Sequence, residues 1–198
     1  MNEALAAELI KMAKADLQLR AELISESSLF HGYHPKMKRL HDKNAKRLSE
    51  IVDEAGWPGK SIAGEEAAHA AWLILQHAIS HPELQRKCFP LLAAQVNTGD
   101  VPATDVAMLE DRIRAFEGRA QRFGTQFDWD ENGEMNPLPL DNPDHVEQRR
   151  KHLGMRSMHD EIIAKRKEVV ITGEKPPKDY KQYQREKEQW LKANGWRQ

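Results

Sequence analysis

A single cysteine, Cys88, leaves this chain without the means for an intramolecular disulfide and excludes a Cys-rich zinc site. Its own expected role is that of a small packed hydrophobe. An excess of charge of one sign is also missing. Thirty Lys and Arg residues (30) stand against 31 Asp and Glu, for a formal net charge of −1. That balance gives no electrostatic reason to expect nucleic acid or an acidic membrane as partner. Long apolar runs are absent: the most apolar stretch, Ala70 to Leu75, is far too short to span a bilayer. The start, Met1-Asn2-Glu3-Ala4, has neither the basic nor the apolar segment of a secretory signal, so the expected location is the cytoplasm. Walker-type phosphate loops, dinucleotide-binding glycine patterns and GxSxG elbows are lacking, which argues against the common nucleotide enzymes and α/β-hydrolases.

What is present is a chain of 198 residues, 39% hydrophobic and 31% charged, with the profile of a polar globular protein rather than a disordered one. Its apolar residues repeat with helical spacing. Leu5, Leu9, Met12, Leu19 and Leu23 define one stripe, on which Asp16 falls, with Arg20 one turn later. A second helix is expected to begin at Pro35 and to carry Met37, Leu40, Leu48, Ile51 and Val52 on one face, with Asn44 among them. Gly56-Trp57-Pro58-Gly59 stops it. A third helix, from about Glu65 to Ile79, has Ala, Leu, Ile and Trp on every side and is expected to be central. Its polar residues His69, Gln76 and His77 therefore need an explanation.

Pro82 opens a fourth helix, expected to be interrupted at Pro90 and to end near Gly99, and a fifth follows Asp105, with Asp111 and Arg112 on or beside its inner face. Phe127 and Trp129 alternate with polar residues before the turn Asp130-Glu131-Asn132-Gly133, which predicts a small β-hairpin or an ordered loop. Asn142-Pro143 then opens a helix, and Ser157 with Asp160 resembles a capping box for another. The expected fold is mainly α: a compact multi-helix bundle with a small hairpin. Residues 1–168 form the expected helical domain. Residues 169–198, with Pro176-Pro177 and a charged helix bearing Tyr180, Tyr183 and Trp190, form the expected C-terminal arm, docked on the domain or on a second subunit in a homodimer.

Gly56-Trp57-Pro58, Gly64, Gln76-His77-Ala78, Gln85, Asp111-Arg112, Gly118-x-x-Gln121, Gly124-Thr125-Gln126 and Arg149-Arg150-x-x-Leu153-Gly154 occur in that order. The pattern resembles a widespread bacterial family of unknown function in which QHA, DR and GTQ motifs recur, over roughly the first four-fifths of the chain. The resemblance implies a common helical fold and a shared site, and supplies no activity. Such sequences tend to carry a Tyr soon after the Arg-Arg-x-x-Leu-Gly motif, whereas Met158-His159-Asp160-Glu161 follows here.

The candidate chemistry follows from the intruding polar groups. His77 in a dry helix is a candidate acid/base, and Gln76 beside it a candidate for orienting substrate; the structural alternative is a core histidine bonded across helices. Arg112 is a candidate anion clamp, with Arg149 adding positive charge and Asp111 positioning His77 or Arg112. Asp16 and Arg20 are expected to belong to a buried ion-pair network joining the first and fifth helices. Gln121, Thr125 and Gln126 are candidate substrate contacts, although Gly124-Thr125-Gln126 also fits a structural turn. A metal site is the competing idea, on His77 and His81 at i, i+4, with a third ligand from His31, His34, His145, His152 or His159. His81 precedes Pro82 and the others lie in polar surroundings, so neither metal nor cofactor is expected. The leading expectation is a small-molecule enzyme with its pocket between the third and fifth helices, lidded by residues 121–140, and running metal-independent hydrolysis or a related proton transfer. The alternative is a non-catalytic interaction protein, an immunity or accessory factor, with an internal polar network.

Overall fold

Asn2 begins the first helix: its side chain accepts from the Leu5 amide at 3.1 Å, satisfying a donor that the helix itself leaves open. This helix, α1, spans Glu3–Ser25 and buries Leu9, Ala13, Asp16 and Leu23, one stripe at helical spacing. The computed structural model describes residues 1–26, 28–29 and 32–198. His31 lies outside them. Helix α2 (Pro35–Ala55) starts with Pro35 in the first turn, where a missing N–H costs nothing, and ends at Gly56, whose φ of 76° a side chain would resist. Its buried stripe runs Met37, His41, Asn44, Ala45, Leu48, Ile51 and Val52. Between the two helices, Leu29 packs on Leu23 and Met37, with Tyr33 against the same cluster. Each leucine fully buried in this way contributes about 1.5–3 kcal/mol relative to exposure.

A short α3 (Lys60–Ala63) leads into α4 (Glu65–His77), which packs chiefly on α1 and α2. The expectation that this helix is enclosed on every side is corrected. Ala67, Ala70, Ala71, Ile74, Leu75 and Gln76 are buried, but Trp72 and Leu73 are half-buried and His69 is exposed. Helix α5 (Pro82–Ala94) also departs from expectation, since it continues through Pro90. One lost backbone hydrogen bond is tolerated because Leu84, Cys88 and Leu92 anchor the helix by burial. The Gln85 amide, fully buried, ties it to α4 by donating to the Leu75 carbonyl at 3.0 Å.

Contacts divide the chain into two compact units, Met1–Val106 and Ala107–Gln198, and α6 (Ala103–Phe116) runs through the division. In the second unit, β1 (Phe127–Trp129) and β2 (Met135–Pro137) pair antiparallel, Phe127 opposite Pro137 and Trp129 opposite Met135. The Asp130 carboxylate accepts from the Asn132 and Glu134 amides and closes the predicted turn. Asn142 caps α7 (Pro143–His152), and the Ser157 hydroxyl caps α8 (Met158–Thr172) by accepting from the Asp160 amide. Helix α8 runs unbroken across Glu168, where the composition changes.

The last helix, α9 (Tyr180–Ala193), belongs to this unit as well. The Tyr183 hydroxyl donates to Asp128 at 2.5 Å and Lys187 pairs with the same carboxylate. Trp190 and Trp196 meet the Phe116 ring edge-on, and Arg197 donates to the Phe116 and Ala115 carbonyls. The fold is mainly α with one small hairpin, as the hydrophobic pattern predicts. Among the described residues, no helix is long and apolar enough to cross a membrane.

Candidate active site

In the first unit, three helices each bring one polar residue to a shared cluster. Asp16 comes from α1, His41 from α2 and His77 from the last turn of α4. Asp16 Oδ1 lies 2.9 Å from His77 Nδ1, and Asp16 Oδ2 lies 3.1 Å from His41 Nε2. The two imidazoles sit with ring centroids 5.1 Å apart. The Tyr33 hydroxyl meets His41 Nδ1 at 2.7 Å. The carboxylate is 1% exposed, the His41 side chain 9% and the His77 side chain 24%, so the cluster is dry at Asp16 and opens outward at His77.

Burial opposes ionisation of Asp16, but the imidazoles of His41 and His77 outweigh it and hold the carboxyl well below the usual carboxylate range. An ionised carboxylate only accepts, so the His77 nitrogen facing it, Nδ1, carries the ring's proton. In the neutral ring this leaves the lone pair on Nε2. Burial also pushes the Tyr33 phenol above its ordinary value, which keeps it a neutral O–H.

The sequence pattern singles out His77 but not its partners. The buried ion-pair network expected of Asp16 and Arg20 is corrected: Arg20 is exposed, and Asp16 is taken by imidazoles instead. His41 is not among the residues the sequence singles out. Its signal lies in the spacing: it stands four residues after Met37 and seven before Leu48, on the stripe that also carries Asn44. The expected pairing of His77 with His81 is also corrected. His81 Nε2 lies 3.0 Å from Asp42 and its Nδ1 3.4 Å from Glu83. His34 caps α2, while His145, His152 and His159 are exposed. Gln76, next to His77, is buried in the same unit.

The other expected residues, Asp111, Arg112, Gln121, Thr125, Gln126 and Arg149, belong to the second unit, where they organise one loop. Asp111 is fully buried and accepts from the amides of Arg122 (2.7 Å), Phe123 (3.1 Å) and Thr125 (3.0 Å), and from the Thr125 hydroxyl (3.1 Å). Burial pushes its carboxyl above the ordinary value, and these donors work in the opposite direction. The carbonyls of the same loop face two arginines. Arg149 donates to Arg122 O at 2.8 Å, and Arg150, 1% exposed, donates to Phe123 O at 2.6 Å.

Gln121 spans the loop, donating to the Gln126 and Leu138 carbonyls and accepting from the Gln126 amide. Gln126 donates to the Thr125 hydroxyl and accepts from Arg112 Nε at 3.1 Å. Desolvation pulls the half-buried Arg112 guanidinium down to about 10. Gly124 is required by position: its φ is 67°, and a side chain there would run into Met158 and Leu140. The Asp-Arg, Gly-Thr-Gln and Arg-Arg motifs thus build a clamp on residues 121–126, in which Asp111 takes the N–H groups and the arginines take the C=O groups.

A cavity of about 310 Å3 lies elsewhere in the first unit, lined by Trp57, Lys60, His69, Trp72 and Asp105 among others. His69 stacks on Trp72 with ring centroids 5.6 Å apart, and burial pushes the Asp105 carboxyl up to about 6. None of the residues singled out as catalytic or substrate-binding from the sequence lines it.

In comparison with known proteins, a family of unknown function, DUF6624, matches residues 3–169. No curated protein and no solved structure matches the chain.

Proposed function

The chain belongs to DUF6624, a family of unknown function, and we propose from its geometry that it is a small-molecule enzyme working by acid/base chemistry. One observation carries the reading: a buried, ionised Asp16 holds the Nδ1 proton of His77, so that Nε2 is left basic on the outward side of the ring. A carboxylate behind an imidazole fixes its tautomer and stabilises the imidazolium formed when Nε2 takes a proton. His77 therefore removes a proton from water or from an acidic C–H or N–H of the substrate, and returns it to the leaving group. Hydrolysis or a proton transfer on an anionic or amide-bearing substrate fits this arrangement. A cytoplasmic setting belongs to the proposal, in keeping with one unpaired, buried cysteine.

The role of Asp111 changes in this reading. It shapes the loop of the second unit, and the positioning of His77 falls to Asp16. The test is turnover of a panel of small amides, esters and phosphate esters by the wild-type protein and by His77→Asn, each checked for folding by circular dichroism. Turnover by the wild type that disappears in a folded His77→Asn supports the assignment. Equal turnover by the two proteins removes His77 as the base.

A second reading, a non-catalytic interaction protein, is favoured by the closed bonding of Asp111 and Gln121 and by an apolar face on α8. There Val170 and Ile171 are 80% and 84% exposed, with Ile163 on the same side. A homodimer through the C-terminal segment belongs to this second reading. Concentration-dependent dimerisation that Val170→Glu abolishes, in a protein without turnover, decides for it.

A further inference from the structure

Asp16, His41 and His77 approach one another more closely than they satisfy one another. One ligand-capable atom from each lies within 4.8 Å of the other two. The Asp16 Oδ1 to His77 Nδ1 contact is an aligned hydrogen bond, but Asp16 Oδ2 and His41 Nε2, 3.1 Å apart, are not aligned for one. Both atoms are buried and neither has a hydrogen-bond partner among the described residues. Leaving a carboxylate oxygen and a ring nitrogen buried without an aligned hydrogen bond is unfavourable. Their 3.1 Å ion-pair contact leaves both lone-pair directions without an aligned donor or acceptor, a geometry that a shared cation would complete.

The donor set says what that partner is. Two imidazole nitrogens and one carboxylate oxygen suit a divalent transition-metal ion, not the hard, all-oxygen shells of calcium or magnesium. Bonds of about 2 Å in a tetrahedral shell put neighbouring ligand atoms roughly 3.3 Å apart. The nearest approaches to Asp16, 2.9 Å from His77 Nδ1 to Oδ1 and 3.1 Å from His41 Nε2 to Oδ2, are of that order, and one ligand atom from each residue lies within 4.8 Å of the others. The ligands come from three packed helices, which fixes their separation. Behind His41, the Tyr33 hydroxyl at 2.7 Å holds the far ring nitrogen, the outer contact that orients a ligating imidazole. The partly exposed His77 side leaves room for a fourth position.

We infer that Asp16, His41 and His77 form a binding site for a divalent transition-metal ion of the zinc class, with one coordination position open. The inference uses the residues of the acid/base proposal but stands on a different measurement. A neutral imidazole has one lone pair. An ion on Nδ1 of His77 moves the ring's proton to Nε2 and withdraws it as a base, so the acid/base reading describes the ion-free protein and a bound ion would switch that base off.

The experiment uses untagged, full-length protein stripped with chelator and titrated with Co2+ at neutral pH, followed by calorimetry and by visible absorption. One Co2+ per chain is expected, with ligand-field bands of a four- or five-coordinate ion and displacement by Zn2+. His41→Gln weakens binding at least tenfold, Tyr33→Phe weakens it less, and His81→Gln leaves it unchanged. No saturable binding to the wild type overturns the inference without recourse to any variant. So does binding that survives His41→Gln or vanishes in a folded His81→Gln, since the ion then sits on other histidines. Turnover without metal binding removes the ion and leaves the base, whereas metal binding without turnover does the reverse.

Discussion

Asp16 lies 2.9 Å from Nδ1 of His77, so a carboxylate on the first helix sets the tautomer of an imidazole 61 positions away in sequence. A buried acceptor and an outward lone pair on the same ring divide the labour: one end is fixed, the other is reactive. The consequences are separable by mutation.

His77→Asn keeps a polar group of similar reach at the Asp16 carboxylate but has no basic nitrogen. Turnover is expected to fall by about 10²–10⁴, the usual contribution of a positioned general base, with the melting temperature within a few degrees of wild type. Unfolding of the variant at ambient temperature counts against a catalytic reading and for a structural one.

Asp16→Asn tests the anchor through pH. The Asp16 carboxyl is held below its ordinary value of 3.8 in the native protein, so the unfolded chain binds more protons as the pH falls. Its contribution to stability is complete above the unfolded value and is lost as the pH falls through the lower native value. Urea unfolding at pH 7 is expected to place the variant about 2 kcal/mol below wild type, and the gap closes in strong acid. A gap that is constant with pH removes ionised Asp16 from the account.

Asp105 has the opposite sign. Burial raises its carboxyl to about 6, so the native protein holds a proton that the unfolded chain has released between that value and 3.8. Stability therefore declines as the pH rises through this window. Asp105→Asn is expected to raise the melting temperature at pH 8, roughly 2–4 °C, and to leave it unchanged near pH 4. Scanning calorimetry at the two pH values checks it.

Asp111→Ala strips the acceptor from three loop amides and one hydroxyl in a site without water access. A loss of about 3 kcal/mol is expected in denaturant unfolding, and Arg150→Ala, which frees the carbonyls of the same loop, should cost a comparable amount. Because the two act on one loop, the double variant is expected to lose less than the sum.

Gly124→Ala places a β-carbon at a φ of 67° and against Met158 and Leu140. About 1–3 kcal/mol is expected from strain and crowding together. Pairing it with Met158→Ala tells the two apart, since the smaller neighbour relieves crowding and leaves the backbone strain.

Much of the scaffold was determined by the sequence itself. The stripes of α1 and α2, the caps at Asn142 and Ser157, the stops at Gly56 and the Asp130–Gly133 turn are local, set by residues within a turn or two of one another. The motif pattern behind the family resemblance supplied the residues of the loop clamp, and helical periodicity marked His77 as a polar intruder. What they were unable to give is partnership. Pairing of Asp16 with His41 and His77 depends on how α1, α2 and α4 pack, and side-chain packing over tens of residues leaves no periodic trace. The same holds for Pro90, whose helix survives because neighbours bury Leu84 and Leu92, and for His69, which only the placement of α4 leaves outside. Tertiary packing alone decided which of the chain's polar groups share a carboxylate, because a hydrogen bond or a ligand set is a relation between surfaces and not a property of a segment.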